Sequence, residues 1–511
     1  MKRLASALLV WLILAISASG CSPSQGASQN SDAGENGASS ESPVEINMIA
    51  GLFNEPPDMG NAYWSKWEEM TNSKLNIEWV DSGNFSEVYN LRLSAGDIPE
   101  ISALFSITPP IWEAIFAGAY YDLTDLLGDF SEHPNLRDNV PPDCWLYNTA
   151  GGRIYALPRN RSRIDPIPYI RKDWLDVLGI PLPGTIDEYA DALAQIVKSD
   201  ADGNGQIDTL GMIGHDGKLP TSNFIAAFGC LDGAINADGT QYAPVFTDEY
   251  RDLVAFYRGM YETGALDHEY TTANQSSSTD MANSNRCATY QVAAFQYFDF
   301  ETNSRKIQPE PDPEIAVLVL EGPKQKALQI IPGYQGGFYL RADLPEDKVK
   351  RILQYFDLTT STEVSDLGYY GVEGVHYTQT DGTKLLTTQG IEEVNTTSRG
   401  VGCLAYTKWG KVDNSAASKE YNDKRRAETA IYDDEGKIDL WGLGILYSPS
   451  WIATWPKYEK EWDATVAKAV NGSMSLEEFA QYQERLRSLP EFQQAWKEFA
   501  VAYEQMQSAK N

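Results

Sequence analysis

The segment 44-VEINMIA-50 is the first part of the chain with the pattern of folded structure, because its apolar residues alternate with polar ones. Alternation with a period of two is typical of a β-strand that buries one face. A helical pattern follows at 63–70, a second alternating run at 75–80, a helix that Gly96 ends, and a third apolar segment at 98–104. Strands that alternate with helices in this way predict an α/β domain.

Composition and charge limit the function classes that fit the chain. Its 511 residues suffice for about two to four domains or one large two-lobed unit. A hydrophobic fraction of 42%, with 13 tryptophans, supplies a sizeable core. The 72 Asp and Glu residues outnumber the 41 Lys and Arg residues, which gives a formal net charge of -31. This charge disfavours nucleic acid as a partner, because binding nucleic acid requires a positive surface.

The N-terminal residues have the features of a secretory signal. A positive start precedes a mostly apolar stretch at 4–16, which is followed by 18-ASGC-21. The tetrapeptide resembles a bacterial lipobox, which implies that Cys21 receives diacylglycerol and anchors the mature protein to the membrane. Residues 22–43 are rich in small polar residues without apolar periodicity. We therefore predict a lipoprotein signal peptide at 1–21 and a flexible stalk at 22–43. An ordinary signal peptide that contains a cysteine is the alternative.

Two capping boxes locate helices further along the chain. Thr185 with Glu188 precedes one amphipathic pattern, and Ser475 with Glu478 precedes another that Pro490 ends. The C-terminal part is therefore predicted to be helical.

Sequence motifs of enzymes are absent. The four histidines lie far apart, the cysteines other than Cys21 are isolated, and there is no H-E-x-x-H helix, G-x-S-x-G turn or P-loop. We therefore expect a protein without catalytic activity. A glycosidase pair among the 72 acidic residues is the enzyme arrangement that remains open.

The loop 200-DADGNGQID-208 has oxygen-bearing side chains at every second position and a glycine at the sixth. This spacing is typical of calcium-binding loops. The predicted ligands are the side chains of Asp200, Asp202, Asn204 and Asp208 and the backbone carbonyl of Gln206, with Ile207 directed into the protein. The twelfth position is Gly211 instead of a glutamate, so we predict a structural Ca²⁺ site and not a switch. A solvated turn is the alternative.

Three arginines at alternate positions, Arg159, Arg161 and Arg163, are unusual in so acidic a chain. Guanidinium groups suit carboxylates and hydroxyls, so we predict a ligand-binding role for this cluster. Charge compensation of the acidic surface is the alternative.

Several segments resemble extracellular solute-binding proteins of ABC importers, in the large lipoprotein branch related to alginate-binding proteins. The resemblance runs through nearly the whole mature chain in order, in the segments 94-SAGDIPE-100, 152-GRIYALP-158, 169-YIRKDWL-175, the loop 200–208, 370-YGVEGVHY-377 and 448-SPSW-451.

The resemblance implies two discontinuous α/β lobes joined by a hinge, with a helical C-terminus. Lobe 1 would comprise 44–155 and 322–378, and lobe 2 would comprise 156–321 and 379–511. It also implies a structural Ca²⁺ in lobe 2, for which Thr209 replaces an acidic ligand of the relatives.

The resemblance further implies a lipid-anchored receptor at the extracellular face of the cell membrane, monomeric, that delivers a carbohydrate to an ABC permease. Sugars bind through aromatic platforms and planar polar groups. We predict platforms and donors at Trp64, Trp145, Arg159, Arg161, Tyr297, Tyr334 and Trp441. A receptor for an anionic uronate-type oligosaccharide, a surface glycoside hydrolase or lyase, and an adhesive lipoprotein are the alternatives.

Overall fold

Five strands form the main sheet, and the first three alternate with helices as the sequence pattern predicts. The computed structural model describes residues 42–53, 55–150, 152–231, 239–380, 383–394, 398–405, 409–441 and 445–509. The predicted signal peptide, Cys21 and the stalk up to residue 41 lie outside the described residues.

The strands are β1 (Val44–Leu52), β2 (Ser73–Asp81), β3 (Ile101–Leu104), β4 (Thr149–Ala150), β5 (Arg153–Ile154), β6 (Ala156–Asn160), β7 (Tyr169–Arg171), β8 (Leu210–Met212), β9 (Cys287–Thr289), β10 (Ile315–Val317), β11 (Gln329–Ile330), β12 (Tyr334–Leu340), β13 (Tyr377–Thr380), β14 (Thr383–Leu386) and β15 (Lys437–Ile438).

The α-helices are α1 (Ala62–Thr71), α2 (Phe85–Ala95), α3 (Pro109–Phe116), α4 (Thr124–Leu127), α5 (Pro134–Asn139), α6 (Pro142–Leu146), α7 (Lys172–Leu178), α8 (Ile186–Ile196), α9 (Phe224–Ala227), α10 (Asp248–Thr263), α11 (Gln275–Asn283), α12 (Tyr297–Ile307), α13 (Glu346–Thr359), α14 (Thr362–Tyr370), α15 (Thr388–Glu393), α16 (Lys419–Glu435), α17 (Pro449–Thr454), α18 (Glu459–Val470), α19 (Leu476–Arg487) and α20 (Pro490–Ala509). Short 3₁₀ turns lie at Pro244–Phe246, Ala294–Gln296, Ser398–Val401 and Trp455–Lys457.

The main sheet has the order β2-β1-β3-β12-β6. β1 is parallel to β2 and β3, whereas β12 is antiparallel to both β3 and β6. The strand that begins at Ala156 is thus still part of this sheet, and the chain leaves the sheet after Asn160 instead of at the predicted boundary.

Both faces of the main sheet are covered, as parallel strands require. Ile46 and Met48 of β1 lie in one hydrophobic cluster with helices α1 and α13, whereas Ile49 faces a second cluster that contains α3. The two clusters explain why β1 reads as a nearly continuous apolar run at 48–50.

The rest of the described chain packs around two further clusters. The larger cluster is built by α8, α10, α18, α19 and α20, and the smaller one lies beside α12 and α16. Both predicted capping boxes are confirmed: Thr185 begins α8 and Ser475 begins α19. These helix starts hold amphipathic faces against the larger cluster.

Within the described residues, no helix combines the length and the apolar character that crossing a membrane requires. Cys144, Cys230, Cys287 and Cys403 are buried free thiols.

Candidate functional site

The carboxyl ends of β1 and β3 form a natural ligand position. The chain places β2 on one side of β1 and β3 on the other, so the strand order reverses at this point. In open α/β sheets, ligands bind outside the strand ends at such a switch point. Phe53 follows β1 and Phe105 follows β3, with ring centroids 5.4 Å apart, and Phe53 is 45% exposed. An aromatic surface therefore marks the switch point.

Arg159 lies against this aromatic surface at the end of β6. Its guanidinium carbon is 4.9 Å from the ring centroid of Phe105 and 5.9 Å from that of Phe338. The side chain donates at 3.4 Å to the carbonyl oxygens of Leu104 and Gln335, and the residue is only 2% exposed. Burial, and then the charge of Arg161, lower the pKa of Arg159. Arg159 is thus a buried cation in contact with the aromatic surface at the ends of β1 and β3.

Arg161 is half-buried and directly follows β6. It donates to the carbonyl oxygen of Asn160 at 2.6 Å, and Asn160 in turn donates from Nδ2 to the carbonyl oxygen of Cys403 at 2.8 Å. Burial, with a further contribution from the charge of Arg399, lowers the pKa of Arg161. The guanidinium of Arg399 lies 5.3 Å from the ring centroid of Tyr369. Two of the predicted arginines are therefore close to each other and near a third cation.

A cavity of about 560 Å³, the indole cavity, begins at the loop after β3 and extends to the C-terminal helices. Its tryptophans are Trp112, Trp441, Trp451, Trp455 and Trp462, and polar groups are supplied by Lys218, Thr221, Asp439, Glu459 and Asp463. Trp451 and Trp455 stack with ring centroids 4.8 Å apart and an interplanar angle of 10°. Aromatic faces with a few charged groups are the combination that a sugar ring and its hydroxyls require.

The stacked tryptophans are held by the start of α17. The Ser448 side chain caps this helix by accepting from the backbone N–H of Trp451 at 3.1 Å. Glu498 of α20 accepts from the hydroxyls of Ser448 and Ser450, at 2.6 and 2.8 Å, and from the backbone N–H of Ser450 at 2.9 Å. These bonds lower the pKa of Glu498 despite its partial burial. The carboxylate therefore fixes the position of the platform.

The polar wall of the indole cavity is an ion-pair group. Lys218 lies 3.0 Å from Glu459 and 3.4 Å from Asp463. Burial alone would lower the pKa of Lys218, but the two carboxylates hold it above its ordinary value. The group offers both a cationic donor and carboxylate acceptors to hydroxyl groups.

A second cavity, of about 470 Å³, lies between α14 and α16, and we call it the polar cavity. Tyr369, Tyr370 and Trp409 supply its rings, and Arg399 lines it together with three cations of other segments. Each of those three is paired: Lys384 with Asp366, Arg426 with Asp413 and Lys419 with Asp423.

The predicted aromatic platforms are distributed unevenly. Trp441 lines the indole cavity, and its role as a ligand platform stays a prediction. Trp64, Tyr297 and Tyr334 are fully buried in the hydrophobic clusters and present no ring face to a ligand, which corrects the prediction for them. Trp64 lies inside α1, Tyr297 begins α12 and Tyr334 begins β12, and each ring packs into a hydrophobic cluster.

Trp145 lies outside both cavities. It is half-buried and packs on Phe130, with ring centroids 4.8 Å apart. It is not among the residues that line the indole cavity or the polar cavity.

The sequence interpretation missed most of the cavity residues. Trp112, Trp451, Trp455, Tyr369 and Arg399 were not selected as ligand residues. The spacing of Trp451 and Trp455, four apart after a Ser-Pro helix start, is the signal that could have identified a one-sided aromatic platform.

The predicted calcium loop has a defined hydrogen-bond arrangement around Asn204. Asn204 Nδ2 donates to Asp202 Oδ2 at 2.9 Å and to Asp208 Oδ1 at 3.1 Å. Asp200 Oδ2 accepts from the Gly205 N–H at 3.0 Å, while Asp200 Oδ1 is buried without a partner among the described residues. Burial and the neighbouring carboxylates raise the pKa of Asp202. A divalent cation would relieve this accumulation of negative charge, so the donor set fits Ca²⁺.

Three details of the loop qualify the prediction. In the described part of the chain, no three His, Cys, Asp or Glu side chains converge as a metal site, and the amide of Asn204 binds two of the loop's carboxylates. Ile207 is 66% exposed and is therefore not directed into the protein as predicted. The Thr209 hydroxyl donates to the carbonyl oxygen of Ile196 at 3.4 Å, at the end of α8.

Comparison with known proteins gives a match to one family. Residues 56–356, more than half of the chain, match the model of the bacterial extracellular solute-binding protein family. The polygalacturonan/rhamnogalacturonan-binding protein YtcQ of Bacillus subtilis (strain 168) is 25% identical over 382 residues, which cover 72% of this chain and 73% of that protein.

Two solved structures illustrate the shared fold. The substrate-binding protein FusA of an ABC transporter of S. pneumoniae, an EF-hand mutant in complex with fructo-nystose, has a TM-score of 0.65 at 17% identity, covering 91% of this chain and 99% of that one. The alginate-binding protein AlgQ2 without calcium ion has a TM-score of 0.64 at 17% identity, covering 90% and 98% of the two chains. The described chain therefore has the periplasmic-binding-protein-like α/β fold that the sequence resemblance implies.

Proposed function

Since the chain belongs to the bacterial extracellular solute-binding protein family, we propose that it is a lipid-anchored receptor that captures an oligosaccharide and delivers it to an ABC permease. No bond is made or broken in this role. The receptor acts at the extracellular face of the cell membrane as a monomer, and Cys21 carries the lipid.

The indole cavity is the observation that carries this proposal. Its volume of about 560 Å³ has room for more than one sugar ring, and its tryptophan faces lie beside the group of Lys218, Glu459 and Asp463. Sugar rings present apolar faces and hydroxyl edges, so stacking and hydrogen bonding act on the same ligand. YtcQ is a polygalacturonan/rhamnogalacturonan-binding protein and the FusA structure contains fructo-nystose, which supports the same ligand class.

Capture requires two lobes that close on the ligand. The predicted crossings between the lobes lie near Ala156, Glu321 and Thr378. Because β6 belongs to the main sheet, we extend lobe 1 from 155 to 160, so that it comprises 44–160 and 322–378 and lobe 2 comprises 161–321 and 379–511. The indole cavity joins Trp112 of the first lobe with Trp441 of the second. A ligand held by both lobes stabilises the closed state, because it binds that state more tightly than the open one.

A structural Ca²⁺ completes the proposal. Asp200, Asp202, Asn204 and Asp208 would supply side-chain oxygens and Gln206 its backbone carbonyl, with Thr209 adjacent. The buried unpartnered oxygen of Asp200 and the raised pKa of Asp202 support an assignment to a cation. The ion would add stability to lobe 2 and would take no part in ligand capture.

Calorimetric titration of the full chain with neutral and acidic oligosaccharides tests the receptor proposal. We expect binding of at least one oligosaccharide with a rise in melting temperature, because a ligand that binds only the folded state stabilises it. The same mixtures are assayed for new reducing ends. Release of reducing ends would instead identify a glycoside hydrolase, and the absence of binding to every carbohydrate would refute the receptor.

A further inference from the structure

The charged residues that line the indole cavity are mostly acidic. Three carboxylates line it, those of Asp439, Glu459 and Asp463, and Lys218 is the one cation among the described lining residues. Asp439 accepts from the backbone N–H of Trp441 at 2.9 Å, so this carboxylate belongs to the same wall as an indole ring. The lining therefore has a formal excess of two negative charges.

Helix α18 brings two of these carboxylates together with a ring. Glu459, Trp462 and Asp463 are its first, fourth and fifth residues, a spacing that puts them on one face. Lys218 reaches both carboxylates, at 3.0 and 3.4 Å. Burial nevertheless raises the pKa of Asp463, and the charges of Glu459 and Asp216 add to this rise. A second cation at this place would therefore be favourable.

The tryptophans of the cavity are suited to such a cation. Elsewhere the chain places its own cations over rings, as where the guanidinium carbon of Arg171 lies 4.4 Å from the ring centroid of Trp174. Among the described residues, no Lys or Arg lies in this way over Trp441, Trp451 or Trp455. Indole is the strongest cation–π partner among the aromatic side chains. These rings are thus available to a cation that arrives with a ligand.

Tyr270 adds a hydroxyl group without a partner to the cavity wall. The residue is only 2% exposed, and its hydroxyl group has no hydrogen-bond partner among the described residues. Burial raises the pKa of Tyr270, so this group stays neutral and its oxygen can accept a hydrogen bond. A buried hydroxyl group without a partner is unfavourable, which indicates a ligand that bonds there.

We propose that the ligand of the indole cavity is an oligosaccharide with protonated amino groups, an oligomer of an amino sugar. Its rings stack on the tryptophans, and an ammonium group binds beside Glu459 and Asp463. The proposal rests on the proposed carbohydrate-binding function and specifies the class of its ligand. The net charge of -31 supports capture of such a ligand, because a negative field attracts cations.

Calorimetric titration of the full chain with the glucosamine trisaccharide and with its fully N-acetylated form tests this assignment. N-acetylation removes the charges and keeps the rings and their linkages. At about pH 6, where the amines are largely protonated, we expect the free amine to bind about tenfold more tightly. Equal affinities, or tighter binding of the acetylated form, would overturn the proposal.

Two variants should change this preference, the ratio of the two affinities, in opposite directions. Asp463→Asn should reduce it to about threefold or less, because an acceptor of the ammonium group loses its charge. Lys218→Met should increase it by about threefold or more, because the competing cation is removed from Glu459 and Asp463. A preference that is unchanged in both variants, or that falls in Lys218→Met, would overturn the assignment.

Asp176→Asn and Lys66→Met are the matched controls. Each removes one member of an exposed ion pair outside the cavity, and both should keep the preference of the unmodified chain. The melting temperature of each variant without ligand verifies that it is folded, so a lost preference in a folded Asp463→Asn reports on binding.

Tetramethylammonium is the probe for a cation without a sugar ring. We expect it to bind much more weakly than the trisaccharide, because it has one charge and no ring to stack. Displacement of the trisaccharide by an equal concentration of tetramethylammonium would overturn the amino sugar in favour of a simple organic cation.

The outcomes also separate this inference from the receptor proposal. Binding of a neutral or acidic oligosaccharide in preference to the amine would leave the receptor intact and refute the cationic ligand. The absence of binding to every sugar, whatever its charge, would refute both.

Discussion

Phe105 occupies the space above Gly51 so fully that a Cβ atom built on Gly51 would lie 2.1 Å from the Phe105 ring. Gly51 lies near the end of β1, and Phe105 follows β3. The position and orientation of an aromatic ring at the switch point thus depend on the absence of a side chain on the neighbouring strand.

Gly51→Ala should displace the Phe105 ring and the Arg159 guanidinium that packs on it. Overpacking of this kind destabilises by about 1–3 kcal/mol, which denaturant titration measures. Gly259→Ala is the matched control, because a Cβ there meets nothing within 4 Å and the residue lies inside α10. That control should stabilise the protein by about 0.5–1 kcal/mol. Equal stability of the two variants would contradict the contact.

Trp441→Ala should weaken oligosaccharide binding about tenfold, because it removes an aromatic face of the indole cavity. Trp145→Ala is a matched control, since Trp145 is also half-buried but packs on Phe130 outside both cavities. Calorimetric titration of the two variants with the oligosaccharide that binds the unmodified chain compares them. A similar loss in both would show that the cavity is not the binding site.

Metal removal should affect stability through Asp202. Its pKa lies above the ordinary 3.8, so the folded metal-free state binds the proton more tightly than the unfolded state. The free energy of unfolding without metal therefore falls as the pH rises above that value. In EDTA at neutral pH, Asp202→Asn should melt at a higher temperature than the unmodified chain.

Calcium should reverse this order. Added Ca²⁺ should raise the melting temperature of the unmodified chain and raise that of Asp202→Asn much less. Asp434→Asn, at an exposed position of α16, is the control and should respond to calcium like the unmodified chain. An equal calcium response in all three proteins would exclude the loop as the site.

Arg425→Met should be strongly destabilising. Arg425 donates to Glu301 at 2.8 Å and to the carbonyl oxygen of Ile315 at 2.9 Å, and both side chains are almost fully buried. Removal of one member of a buried pair costs about 3–5 kcal/mol, because the other charge is left without a partner. Lys350→Met removes an exposed pair with Glu346 and should change stability by less than about 1 kcal/mol. Chemical denaturation measures both, and a small loss in Arg425→Met would mean that Glu301 is neutral.

The elements that could be predicted correctly are those whose sequence pattern lies within one short segment of the chain. The strands and helices between residues 44 and 104 have local periodicity, and the capping boxes at Thr185 and Ser475 involve residues three apart. Strand order was not predictable in this way, since β12 pairs with β3 through Gly337 and Leu104, which are far apart in the chain.

The candidate site was predicted only in part for a related reason. Arg159 and Arg161 could be selected because arginines at alternate positions are unusual in so acidic a chain, and Trp441 could be selected because aromatic rings bind sugars. Exposure decides whether a ring can bind a ligand, and exposure depends on tertiary packing. Trp64 and Trp451 are each the third residue of a helix, but Trp64 lies in a core and Trp451 lies on a cavity wall.

The position of β12 between β3 and β6 also affects how the chain can fold during its synthesis. Until residues 334–340 have emerged, β3 has an unpaired edge and β6 has no partner in the sheet. The main sheet therefore cannot reach its native state while the ribosome is still producing the middle of the polypeptide. Completion of the sheet is consequently a late event, and nascent chains that stop before residue 334 expose open strand edges to proteases and to aggregation.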